Sequence, residues 1–338
     1  MKANEKRSCR SVAVASRPVR RSTTLASIAL SLVPALTARV APAQSPSSYE
    51  RSVATIARRQ ADDDSVAVPG ARSILLTRGA PTPRVIVLLH GLTDSPRQFE
   101  ALAYRLNADG NNVLVPRFPR HGLPGGDARA LATLTSSELR GFADSVVSEA
   151  VGLGDSMVVV GLSMGGTVAA WIAQQRAAWR VVLIAPALKP GHIPSILERP
   201  IVGLADRLPN MTWRAARDTA RPDREPGFST RAAAEILELG GTVLRDAAHA
   251  APRTPRLVLL MNANDRTVRE SAAEALARDW ARHGAAVSVF ELPDSLRLPH
   301  NIMDPMHGRA LGDAVLQLLR EVVYGEPPSA LVRPLPVR

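Results

Sequence analysis

Four segments of the chain carry residue types that could together perform nucleophilic acyl chemistry. Gly161-Leu162-Ser163-Met164-Gly165 follows the run Met157–Val160 and precedes a helical stretch opening with Gly166-Thr167-Val168. A serine acts as a nucleophile when it projects from a sharp strand-to-helix turn, where flanking glycines let the backbone crowd without Cβ clashes. Its hydroxyl needs a base, and an imidazole base needs a carboxylate to fix its tautomer and stabilise its cation. Met261-Asn262-Ala263-Asn264-Asp265 places a carboxylate just beyond a strand, and Pro299-His300 places an imidazole in the loop beyond the last strand. Ser163, Asp265 and His300 thus follow one another in chain order, each after a strand. Attack on a carbonyl also creates an oxyanion, which requires fixed backbone N–H donors. The loop His90-Gly91-Leu92-Thr93-Asp94-Ser95 leaves a buried strand, so the amides of Leu92 and Met164 are the expected donors.

Other residues compete for these roles. Asp294 follows the last strand and could approach His300 from its own loop, while Asp304 and His307 flank that loop. His307 falls in the helix expected from Asp304, with its side chain along the helix surface, so His300 is the base expected to descend over the nucleophile. Asp265 ends the preceding strand and can reach the imidazole nitrogen facing away from Ser163. His90 could be a metal ligand or a base, but the 7 histidines lack ligand spacing. His90 is therefore expected only to shape its loop, and neither a metal nor another cofactor is expected.

The elements that must position these residues alternate along the chain. Ser73–Arg78, Arg84–His90, Asn112–Arg117, Ser156–Gly161, Arg180–Ala185, Arg256–Met261 and Ala286–Leu292 read as strands, several of them continuous apolar runs suited to burial on both faces. Between them, Pro96–Asp109, a helix opened by the capping box Thr135-Ser136-Ser137-Glu138, Met164–Ala178, Val268–His283 and Asp304–Tyr324 read as helices. Strands alternating with helices imply an α/β fold, a mostly parallel sheet covered on both faces. From 187 to 254 the alternation lapses into Pro-, Arg- and Ala-rich sequence with helical pieces near Ile196–Leu208 and Thr230–Ala248, which reads as a helical lid. Its apolar residues, among them Ile193, Ile196, Leu197, Ile201, Leu204, Met211 and Trp213, would wall a pocket or pack the lid on the body. Ser45–Arg59 reads as a polar leader and 325–338 as a loose tail.

Composition bounds the remaining possibilities. Of 338 residues, 46% are hydrophobic and 22% charged, enough for a full globular core. No stretch reaches the ~18 apolar residues of a membrane span. The net charge of +11 would suggest nucleic acid or anionic lipid as a partner if it were spread over the fold. Residues 1–43, however, carry eight basic residues and one acid, so the remainder is left at +4. That segment has a basic start ending at Arg20-Arg21, a short apolar stretch from Leu25 to Ala38, and Ala41-Pro42-Ala43. It reads as an export signal cleaved after Ala43, which would make the mature protein periplasmic or secreted. The single cysteine, Cys9, lies inside it, so the mature chain would have neither disulfides nor a thiol nucleophile.

On these motifs the sequence resembles the α/β-hydrolase superfamily, specifically its carboxylesterase and monoacylglycerol-lipase-like branch grouped with serine aminopeptidases. The resemblance runs from about Val85 to Val323 and includes Arg120-His121-Gly122, where family members usually show Gly-His-Gly. It implies the α/β-hydrolase fold and an esterase acting on small-molecule esters. The alternation of elements sets the core at 44–186 and 255–324 with the 187–254 lid inserted late in the sheet, and the N-terminal pattern makes the expected enzyme an exported one. A serine at the nucleophile position argues against the dehalogenase and epoxide-hydrolase branches. An aminopeptidase would need an acid to hold the substrate amine, for which Glu198, Asp206, Glu235 and Glu238 are available. An acyltransferase would share the triad, and a non-catalytic binding protein would be expected to have lost one of its members.

Overall fold

The computed structural model describes residues 47–124, 128–191, 210–214, 227–303 and 308–337. The expected export signal, the helix near Ile196–Leu208, Glu198, Asp206, Asp304 and His307 lie outside these residues.

Ten strands are described. They are β1 (Ile74–Leu76), β2 (Val85–Leu89), β3 (Asn112–Val115), β4 (Met157–Leu162), β5 (Arg180–Ile184), β6 (Thr212–Arg214), β7 (Gly227–Ser229), β8 (Arg256–Asn262), β9 (Ala286–Leu292) and β10 (Arg333–Leu335). Eight of them form one sheet in the order β1-β3-β2-β4-β5-β8-β9-β10, in which β3 to β9 run parallel and the edge strands β1 and β10 are antiparallel to their neighbours. The helices are α1 (Ser48–Val66), α2 (Glu100–Ala108), α3 (Ala128–Leu131), α4 (Ser136–Ala150), α5 (Met164–Gln175), α6 (Thr230–His249), α7 (Glu270–Arg282) and α8 (Arg309–Tyr324).

Why β2 and β4 are apolar throughout follows from the two cores they feed. Val85, Val87 and Leu89 of β2, with Val159 of β4, point to the face covered by α1, α4, α5, α6 and α7. Ile86 and Leu88, with Val158, Val160 and Leu162, point to the face covered by α2 and α8. Alternate side chains of one strand therefore enter opposite cores, and all five residues of β2 are fully buried. With every strand in register, the carboxyl ends of β2, β4, β8 and β9 open on one edge of the sheet, from which the loops bearing Leu92, Ser163, Asp265 and His300 emerge.

Three expectations need correction. The segment read as a polar leader is helix α1, opened by a reciprocal capping box between Ser47 and Glu50. It buries Ile56 and is fastened by charge: Arg59 reaches both carboxylate oxygens of Glu149, and Asp63 accepts from Arg117 Nε at 2.8 Å. The segment read as a loose tail contains β10, which pairs with β9 and joins Arg333 to Glu291. Within 187–254, where no buried strand was expected and only helical pieces were read, β6 and β7 form a small antiparallel pair. The helix expected at Thr230–Ala248 is α6, whose Ile236, Leu239 and Val243 pack into the core face shared with α5. Among the described residues no helix is long and apolar enough to cross a membrane.

Candidate active site

Ser163 sits between β4 and α5 with φ 57° and ψ −116°, a conformation an L residue adopts only under constraint. The constraint is the close approach of neighbouring backbone. A Cβ on Gly161 would lie 2.1 Å from Gly165 O, and one on Gly165 would lie 2.0 Å from Leu89 O. Both positions must be glycine for the turn to close. The turn is tied at both ends: Ser163 N–H donates to Ile184 O at 2.9 Å, and Ser163 O accepts from Thr167 N–H and Ala187 N–H.

His300 comes to this serine from the loop beyond β9. Its Nε2 is 2.8 Å from Ser163 Oγ, and its Nδ1 is 2.6 Å from Asp265 Oδ2. The carboxylate keeps the ring proton on Nδ1, leaving Nε2 to accept the serine hydroxyl. Asp265 is itself fixed, because Oδ1 accepts from Thr267 N–H at 2.8 Å, and its side chain is only 1% exposed. The His300 side chain keeps 20% exposure, so the base is less buried than its acid partner. Asp294 lies exposed in a short 3₁₀ turn and does not take part.

Two asparagines that the sequence reading passed over hold the base loop. Asn262 Nδ2 donates to Leu298 O at 2.9 Å and Pro299 O at 3.0 Å, and Asn264 Nδ2 donates to Leu298 O at 2.9 Å. Their position between a strand end and Asp265 was the available signal. A carboxamide can reach backbone carbonyls of an adjacent loop, which an apolar residue there could not.

The loop after β2 is organised by two buried imidazoles. His90 Nε2 accepts from Phe118 N–H at 3.3 Å, so the ring proton lies on Nδ1 and is donated to Gly91 O at 2.9 Å. Because C=O and N–H of a trans peptide point in opposite directions, fixing Gly91 O turns the Leu92 N–H the other way. The next peptide is gripped through Leu92 O, which lies 2.7 Å from His121 Nε2; His121 Nδ1 is 2.9 Å from Pro119 O. Burial pushes the His121 pKa down to about 4, outweighing the two carbonyl contacts that favour its cation. Arg120, in the place where a glycine is usual, has φ 68° and pairs with Glu138. No described residue accepts from the Leu92 or Met164 amide.

A second carboxyl lies behind Asp265. Burial, and then Glu291, Glu274 and Asp265, raise the Glu270 pKa to about 7 against the opposing charge of Arg333. Of the acids considered for an amine-binding role, Glu235 accepts from Ser136 N–H at 2.6 Å and Glu238 bonds Ser136 Oγ at 3.1 Å. Both are engaged at the amino end of α4, where a negative charge is favoured.

Comparison with known proteins agrees with this architecture. Among solved structures, a metagenome-derived lipolytic enzyme described with LipS and LipT superposes with a TM-score of 0.57 at 17% identity, covering 77% of this chain and 100% of that one. The monoacylglycerol lipase of Paleococcus ferrophilus gives 0.56 at 18% identity, covering 75% and 98%. A soluble variant of the Saccharomyces cerevisiae monoglyceride lipase, bound to a substrate analogue, gives 0.54 at 14% identity, covering 75% and 90%. No curated protein sequence matches the chain. The sequence model of the alpha/beta hydrolase family matches residues 86–304, well over half of the chain, and the protein belongs to that family.

Proposed function

We propose that the protein is a serine hydrolase that cleaves carboxylic esters of small molecules through an acyl-enzyme. The observation that carries this reading is the unbroken relay from Ser163 Oγ through His300 to Asp265, at 2.8 Å and 2.6 Å. In this reading Ser163 attacks the ester carbonyl while His300 Nε2 takes its proton. The Leu92 and Met164 amides receive the developing oxyanion, and Asp265 stabilises the imidazolium. His300 then returns the proton to the leaving alkoxide and activates the water that releases the acid.

Ester rather than aminoacyl substrates are favoured because Glu235 and Glu238 are already engaged at Ser136. Short to medium acyl chains, or a monoacylglycerol-like ester, suit the apolar residues of the 187–254 segment and the substrate class in the names of two structural neighbours. Export, with cleavage after Ala43, is part of the proposal and rests on the N-terminal sequence pattern.

The test is a fluorophosphonate label followed by intact-mass measurement, together with a ladder of p-nitrophenyl esters and aminoacyl anilides. One adduct on the wild type, none on Ser163→Ala, and ester turnover exceeding anilide turnover are expected. Labelling that survives in Ser163→Ala overturns the nucleophile. Faster anilide cleavage overturns the ester assignment in favour of a peptidase, and acyl transfer to an added alcohol in preference to water favours an acyltransferase. N-terminal sequencing of exported material should begin at Gln44.

A further inference from the structure

The nucleophile and its base are joined by the relay itself, but the loop bearing Leu92 and the loop bearing His300 need a separate connection. Neither is helix or strand where it meets the site, and they lie about two hundred residues apart in the chain. A side-chain bridge spans them. Gln98 Oε1 accepts from Gly91 N–H at 2.9 Å, and Gln98 Nε2 donates to Asn301 Oδ1 at 3.0 Å. Asn301 Oδ1 also accepts from Met303 N–H at 3.1 Å, while Asn301 Nδ2 donates to Asp94 Oδ2 at 3.3 Å. The other oxygen of Asp94 accepts from Ser95 N–H at 3.0 Å.

Every polar atom in this bridge has one consistent role. Gln98 and Asp94 are 7% and 2% exposed, so water competes little for these bonds. The anchored residues are next to the chemistry: Asn301 follows His300, and a Cβ placed on Gly91 would lie 3.8 Å from Ser163 Cβ. An oxyanion donor and a base act on one carbonyl only if both are held to a few tenths of an ångström. A displacement of about 1 Å can cost 10²-fold in rate.

We propose that Gln98, Asn301 and Asp94 are positioning residues that lock the oxyanion loop to the base loop, setting the Leu92 amide and His300 in register over Ser163. This assignment rests on the ester-hydrolase reading for its catalytic consequence and on the bridge geometry for its mechanical one. Gln98→Glu keeps the shape but loses the donor facing Asn301. Asn301→Asp keeps both acceptor bonds, from Gln98 and Met303, yet sets a second carboxylate against Asp94. Adding Asp94→Asn to Asn301→Asp restores a donor–acceptor pair, because the new amide can still accept from Ser95 N–H and donate to the new carboxylate.

The experiment measures ester kinetics, urea stability and hydrogen–deuterium exchange on full-length wild type, Gln98→Glu, Asn301→Asp and the Asp94→Asn/Asn301→Asp double variant. Each single variant should lower kcat about tenfold to hundredfold with KM within about threefold. Each should also speed exchange in both 90–99 and 298–303, and the double variant should recover most of kcat and both protections. Three results overturn the bridge: single variants with kcat within twofold of wild type, faster exchange confined to the mutated segment, or a double variant no better than the singles. A wild type that neither labels at Ser163 nor hydrolyses esters overturns the hydrolase reading and the catalytic role with it. The exchange pattern then reports on the mechanical link alone and distinguishes the two failures.

Discussion

Acidification should cost this fold stability through one buried ring. His121 has a pKa of about 4 in the folded protein against 6.5 for an ordinary histidine, with burial as the main cause. Between those values the unfolded chain binds a proton that the folded chain refuses, so the stability is complete above pH 6.5 and falls as the pH drops toward 4. At 1.36 kcal/mol per pKa unit the loss comes to about 3 kcal/mol, most of it incurred by pH 4.5, against a total of roughly 5–15 kcal/mol for a typical domain. The assay is urea denaturation followed by circular dichroism from pH 7.5 to pH 4.5 on wild type and His121→Gln. The glutamine can still bond Leu92 O but does not titrate. Carboxylates that titrate in both proteins, including Glu270, whose raised pKa acts in the opposite sense over this range, cancel in the subtraction. The stability advantage of the wild type over the variant should shrink by about 2–3 kcal/mol across the series. Parallel curves for the two proteins would refute the argument, and with it a neutral His121 under Leu92.

Three further outcomes follow from packing and from the relay. Asp265→Asn should lower kcat on a p-nitrophenyl ester by about 10⁴ through the wrong imidazole tautomer, whereas Asp294→Asn should stay within a few-fold of wild type. Trp280 is fully buried and donates from Nε1 to Gln174 Oε1 at 2.7 Å. Trp280→Ala should therefore cost about 3–5 kcal/mol in urea denaturation, and Trp280→Phe less but more than about 1 kcal/mol because the buried Gln174 Oε1 loses its donor. Ending the chain before Ser329 removes β10, strips Glu291 of Arg333 and bares the edge of β9. A Tm lower by several degrees, with light scattering that grows with concentration, is expected; an unchanged Tm would show that β10 contributes nothing.

Much of the fold was legible because its signals are local. Runs such as Val85–Leu89 and Met157–Val160 must be strands buried on both faces, and the glycines around Ser163 admit few other backbones. Elements held by distant partners were not legible. Helix α1 has little apolar surface and is fastened by Arg59–Glu149 and Asp63–Arg117, pairings that no local pattern announces. Strand β10 contains Pro334 and exposed side chains, and it exists only because the edge of β9 is there to receive it.

The site divides along the same line. Residue types and chain order alone nominated Ser163, Asp265 and His300, since the chemistry demands a nucleophile, a base and an acid at strand ends. The distance that decides between Asp265 and Asp294 exists only once β8 and β9 lie side by side, which carries Asp265 to His300 Nδ1 and leaves Asp294 outside. The Asn262 and Asn264 grips on Leu298, and the bridge from Gly91 through Gln98 to Asn301, are likewise products of tertiary structure. A carboxamide carries no preference for a partner far along the chain. It acquires one when folding removes water from both ends of the bond, and that removal is a property of the assembled sheet and its loops.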